Sequence, residues 1–70
     1  MITKLMSGDK SMIRQIVGRV HVYDSDENVV AYVKSRMDLS AASPGCVRQI
    51  ERQAIKEHAA NRKLVRDFRL

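Results

Sequence analysis

Residues 43–60 read Ser-Pro-Gly-Cys-Val-Arg-Gln-Ile-Glu-Arg-Gln-Ala-Ile-Lys-Glu-His-Ala-Ala, and the fold turns on this stretch. Ser43 brings the hydroxyl acceptor of a helix N-cap, and Pro44 suits the first helical position, where a missing N–H costs nothing. After Gly45 no Pro or Gly interrupts the chain to about residue 60. At about 100° per residue, Val47, Ile50, Ala54 and His58 gather on one side, with Glu51 and Ile55 at its flank. Arg48, Gln49, Arg52, Gln53 and Lys56 fill the opposite arc, and no acid stands among them. The pattern predicts one amphipathic helix over about 43–60. Leu64, Val65 and Phe68 form a last apolar stripe, as the same helix continued or as a separate turn.

Upstream, Ser40-Ala41-Ala42-Ser43-Pro44-Gly45 is a break, and Asp24-Ser25-Asp26-Glu27-Asn28 is another, rich in capping acceptors. Between them Val29, Val30, Val33 and Met37 hold a helical spacing. Before them Met12, Ile13, Ile16, Val17 and Val20 do the same, with Asp9 or Ser11 as cap. Residues 1–10 have no period and read as a flexible leader, leaving 11–70 as a single domain. The expected fold is all-α, with three to four helices. The alternative is a β-hairpin followed by a long helix: residues 16–23 (IVGRVHVY) and 29–33 (VVAYV) are rich in β-branched side chains, and DSDEN between them would make the loop.

Composition bounds the function. The chain has 70 residues, 44% of them hydrophobic and only 4% aromatic, so Val, Ile, Leu, Met and Ala must build the core. Such a core rarely supplies more than about 3–5 kcal/mol, which makes a partner or a second copy valuable. Cys46 is the only cysteine, so no intrachain disulfide forms, and one Cys with two His does not make a structural zinc site without carboxylates. No apolar run reaches the ~20 residues of a membrane span, and no signal-peptide pattern opens the chain, so a reduced, cytoplasmic domain is expected.

The net charge of +5 is uneven. Residues 1–42 carry six Lys/Arg against five Asp/Glu, whereas residues 43–70 carry seven against three. A basic half beside a near-neutral half is the footprint of a polyanion binder, although basic charge also serves solubility. On the acid-free arc, Arg offers a fork to guanine O6 and N7, Gln can pair with adenine N6 and N7, and Lys neutralises phosphate. The solvated face of any amphipathic helix has a similar make-up.

The run Val47-Arg48-Gln49-Ile50-Glu51, with Ala54 three residues on, resembles the recognition helix in the promoter-reading region four of bacterial RNA polymerase sigma factors. Tyr32 to Ser40 looks like the first helix of that helix-turn-helix and its turn. The Asp24–Glu27 break falls where the family has an acidic loop, with Ile16 and Val20 as core of the preceding helix. The resemblance spans residues 12–60 and implies a helix-turn-helix in which Arg48 and Gln49 match the family's Arg-Gln pair. It departs from the family in three places. Ser40 to Val47 is three residues longer, Pro44, Gly45 and Cys46 replace the charged opening of the helix, and Lys34 stands where a small residue packs. The family's polymerase-binding and promoter-melting regions have no counterpart.

Two functions are therefore expected in competition. The first is a sequence-specific double-stranded DNA-binding protein that modulates transcription. Arg48, Gln49, Arg52, Gln53 and Lys56 would face the groove, Arg62, Lys63 and Arg66 the phosphates, and a homodimer would join through Leu64, Val65 and Phe68. The second is an adaptor or inhibitor that sets the basic helix against an acidic protein, RNA polymerase included. RNA is a weaker third reading, because few aromatics are present for base stacking.

No enzyme, cofactor or metal site is expected. Cys46 at the third helical position reads as structural, and no His is placed to activate it. His58 reads as a core-edge or C-terminal capping residue, His21 sits on a polar face, and Asp9, Asp26 and Glu27 read as caps. No Gly-rich phosphate loop or paired-carboxylate site is present.

Overall fold

Three helices, α1 (Lys10–Val17), α2 (Asp26–Arg36) and α3 (Pro44–Phe68), make up the computed structural model, which describes residues 10–68. No strand occurs among the described residues, so the hairpin alternative is overturned. The valines of 29–33 show why. A strand would bury Ala31 with Val29 and Val33 and expose Val30, but Ala31 is exposed and Val30 packs against the core.

Local chemistry starts and stops each element. Ser25 is the N-cap of α2: its backbone is extended (φ −74°, ψ 155°) and its Oγ accepts from the Asn28 N–H at 3.1 Å. Asp24 Oδ1 braces the same turn, accepting from the Ser25 N–H at 3.1 Å and the Asn28 side-chain amide at 2.8 Å. Asp26 and Glu27 in the first turn and Lys34 and Arg36 in the last both complement the helix dipole. Met37, expected on α2's apolar face, is instead its extended C-cap, though it still packs against the core. Asp38 then closes a small turn, accepting from the Ser40 N–H at 3.1 Å and hydroxyl at 2.7 Å. Ser43 caps α3 as expected, its Oγ accepting from the Cys46 N–H at 3.2 Å.

α1 departs from expectation at both ends. Lys10, assigned to the leader, is helical, and so is Ser11; Asp9 and the rest of the leader, residues 1–9, lie outside the described residues. The helix also stops at Val17, not Val20. Gly18 favours helix poorly, and the Arg19 and Val20 N–H groups turn back to the carbonyls of Ile16 and Val17 in tighter three-residue loops. Val20 still packs against the core.

α1 and α2 both lie on α3. Ile13 and Val17 from α1, Val29 and Val33 from α2, and Ile50 and Ala54 from α3 form one fully buried cluster. α3 outruns its neighbours: Leu64, Val65 and Phe68 belong to it, not to a separate turn. Its last fully buried residue is His58, and Leu64 and Phe68 are 55% and 84% exposed.

The capping loop gives a pH prediction. The Asn28 amide above all, with the Ser25 N–H, holds the Asp24 carboxyl below its usual range despite some desolvation. A depressed folded pKa adds stability above the unfolded value and loses it as pH falls through the folded one. Titrating wild type and Asn28→Ala by circular dichroism below about pH 4 should show a smaller acid-induced loss in the variant. Identical acid profiles would refute the role.

Candidate nucleic-acid interface

The capped start of α3 sets the rotation of everything after it. Ile50, Ala54 and His58 follow at four-residue intervals and all are fully buried. With that line inward, two acids of α3, Glu51 and Glu57, fall on its flanks, where the other helices meet them, while Asp67 stays exposed near its end. Glu51 Oε2 lies 2.9 Å from Lys34 Nζ of α2. Glu57 Oε1 lies 3.5 Å from Arg14 Nε of α1, and its Oε2 accepts from the Gln53 amide at 2.7 Å. Farther along, Asp26 of α2 holds Arg62 at 3.2 Å. Each exposed pair is worth little alone, about 0–1 kcal/mol, but together they turn the acids toward the body.

What remains on the outer face of the first half of α3 carries no acid. Arg48, Gln49, Arg52 and Lys56 are exposed, and none of them pairs with an acid among the described residues. Lys63 and Arg66 are likewise exposed and outside any ion pair with a described acid. Arg48, Arg52, Ile55, Ala59, Arg62 and Arg66 follow in alternating steps of four and three, which aligns them along one ridge of about 27 Å at the helical rise.

The structure moves three expected residues. Gln53 leaves the exposed arc: it is half-buried with its amide turned to Glu57. Arg62 is exposed but ion-paired to Asp26. Ile55, expected at the packing flank, is 40% exposed on the ridge, where it lines both the cleft beside α1 and the cleft beside α2. One residue is gained. Lys10 from α1 joins Gln49, Arg52 and Lys56 around an open cleft of 490 Å³. Nothing in the aperiodic opening of the chain signalled Lys10.

The remaining candidates take structural places. His58 is wholly buried and, since a carbonyl only accepts, its Nε2–H donates to the Asp24 oxygen at 2.8 Å. It is therefore a core tie to the α2 capping loop and not a helix C-cap, since α3 runs on to Phe68; its Nδ1 has no hydrogen-bond partner. His21 Nδ1 accepts from the Tyr23 N–H at 3.1 Å, and the two rings lie 5.5 Å apart. Cys46 is half-buried in the first turn of α3. Among the described residues no three His, Cys, Asp or Glu side chains gather where they could hold a metal ion. Among the described residues no helix is long and apolar enough to cross a membrane.

No protein-family model matches the chain, and neither does any curated protein or solved structure.

Proposed function

We propose that the protein binds double-stranded DNA in a sequence-specific way and modulates transcription, with α2 and α3 acting as a helix-turn-helix and the first half of α3 in the major groove. One observation carries this reading: the acids Glu51 and Glu57 turn to the body while Arg48, Gln49, Arg52 and Lys56 stand free on the outer face. In this reading Arg48 and Arg52 present guanidinium forks to guanine, Gln49 pairs with adenine, and Lys56 and Lys10 meet phosphate. Ile55 on the same ridge suits a thymine methyl group. Residues 37–43 form a longer turn than a compact helix-turn-helix uses, and the Lys34–Glu51 ion pair links the two helices where the resembling family packs a small residue. The apolar side of α3 beyond His58, with Leu64 and Phe68 exposed, would join a second copy so that two modules read two half-sites.

Titration of a fluorescent mixed-sequence duplex at two salt concentrations tests the reading. With Lys10, Lys56, Arg62, Lys63 and Arg66 on phosphates, affinity should fall roughly five-hundredfold between about 50 and about 200 mM salt. Lys63→Ala should weaken all sequences alike and make the salt slope shallower by about one. A chain that fails to bind duplex, yet is retained by an acidic protein surface, would be an adaptor instead.

A further inference from the structure

Farther along the same outer ridge, α3 borders a second concave surface. Tyr23, Ala59, Arg62, Lys63 and Arg66 enclose an open notch of 360 Å³. Ala59, Arg62, Lys63 and Arg66 fall at the i, i+3, i+4, i+7 spacing of one helix face, so three cations surround the one methyl side chain. The small size of Ala59 leaves the space, and the loop before α2 supplies the fourth side. That loop is shaped by the His21 Nδ1 bond to the Tyr23 N–H. Arg62 is held by Asp26 at 3.2 Å, which restrains its guanidinium before any ligand arrives, whereas Lys63 and Arg66 pair with no described acid.

We infer that this notch is a phosphate-binding site: Arg62, Lys63 and Arg66 neutralise the anion, Tyr23 walls the side toward the loop before α2, and Ala59 keeps the space open. A phosphate placed here lies about 20 Å along α3 from Gln49 and Arg52, so it would anchor the far end of the helix and fix its angle to the groove. That the phosphate belongs to a DNA backbone rests on the reading above; the anion site itself does not.

Ala59→Glu puts a carboxylate among the three cations, and Ala59→Leu fills the space without charge. Ala59 is exposed and mid-helix, and both replacements favour helix, so circular dichroism should match wild type. The experiment is amide NMR and anisotropy with a mixed-sequence duplex, and separately with inorganic phosphate. Expected is a shift of the Tyr23, Ala59 and Lys63 signals by both probes. Ala59→Glu should bind duplex roughly tenfold more weakly for every sequence, with a salt slope shallower by about one, and Ala59→Leu should show a smaller uniform loss. If wild type binds duplex and both variants bind it equally well, the notch is overturned and the DNA reading stands. If wild type ignores duplex but inorganic phosphate shifts the notch signals, and Ala59→Glu abolishes the shift, the anion site stands and its source is not DNA. Silence to both probes overturns both.

Discussion

Ile50→Ala is expected to leave most of the chain unfolded at 25 °C. Ile50 is fully buried in the first third of α3, in the cluster that α1 and α2 complete, and among the described residues it shares that core with only five other wholly buried apolar side chains. Removing an isoleucine to the β-carbon in such a site costs about 2–5 kcal/mol, combining lost transfer energy with an unfilled cavity. A chain this short has about 3–5 kcal/mol in total, so the loss is comparable to the whole stability. The neighbours cannot collapse into the gap, since Val29, Val33 and Ala54 are β-branched or already minimal. Urea titration followed at 222 nm checks this. Ile50→Val should keep a cooperative transition at a lower midpoint, and Ile50→Ala should show little or no folded baseline. An alanine variant with the wild-type midpoint would mean that the core does not close on this residue.

The double replacement Arg48→Ala, Arg52→Ala should do the reverse, leaving stability unchanged and removing sequence preference. Both side chains are exposed and neither holds an acid of the body, so the melting temperature should move by no more than a degree or two. Each bidentate contact to guanine discriminates by about 1–3 kcal/mol, so two independent ones give about 2–6 kcal/mol. At the preferred sequence, once found by selection from random duplexes, affinity should fall roughly thirtyfold or more. On mixed duplex the fall should be far smaller and should track charge alone. Equal losses on preferred and mixed sequences would reduce these two arginines to phosphate contacts. No loss on either would remove the outer face of α3 from DNA altogether.

These two experiments probe the two sides of one helix, and the division between its sides was legible in the sequence. Ile50, Ala54 and His58 were placed together by periodicity and are buried together. Ser43 and Pro44 marked the start of the helix, because capping depends on a hydroxyl three residues from a free N–H. The end was less legible. Nothing breaks α3 after residue 60, but an apolar stripe outside any core looks the same whether the helix continues or turns, and here it continues to Phe68. α1 was overdrawn for the converse reason: Val20 kept the period, yet Gly18 and a tightened turn ended the helix while Val20 still reached the core.

Within the candidate interface, residue type alone did not separate Arg48 from Arg62 or Gln49 from Gln53. Each pair looks alike on a wheel drawn for α3 by itself. The difference comes from the other helices: Asp26 of α2 takes Arg62, while Arg14 of α1 fixes Glu57, which in turn takes the Gln53 amide.

The sequence by itself determined the helical spacing of the three segments, the cap at Ser43 and the inward line of α3, because these depend on contacts no more than a few residues apart; the structure excluded the hairpin and made Ser25 the cap of α2, with Asp26 and Glu27, read as caps, inside its first turn. The tertiary structure alone decided which charges pair across helices, that Ile55 stays on the outer ridge, and that Lys10 and Tyr23 come to border α3 from far along the chain. Those outcomes depend on where three helices cross, and a crossing is set by the whole core at once, not by any one segment's pattern.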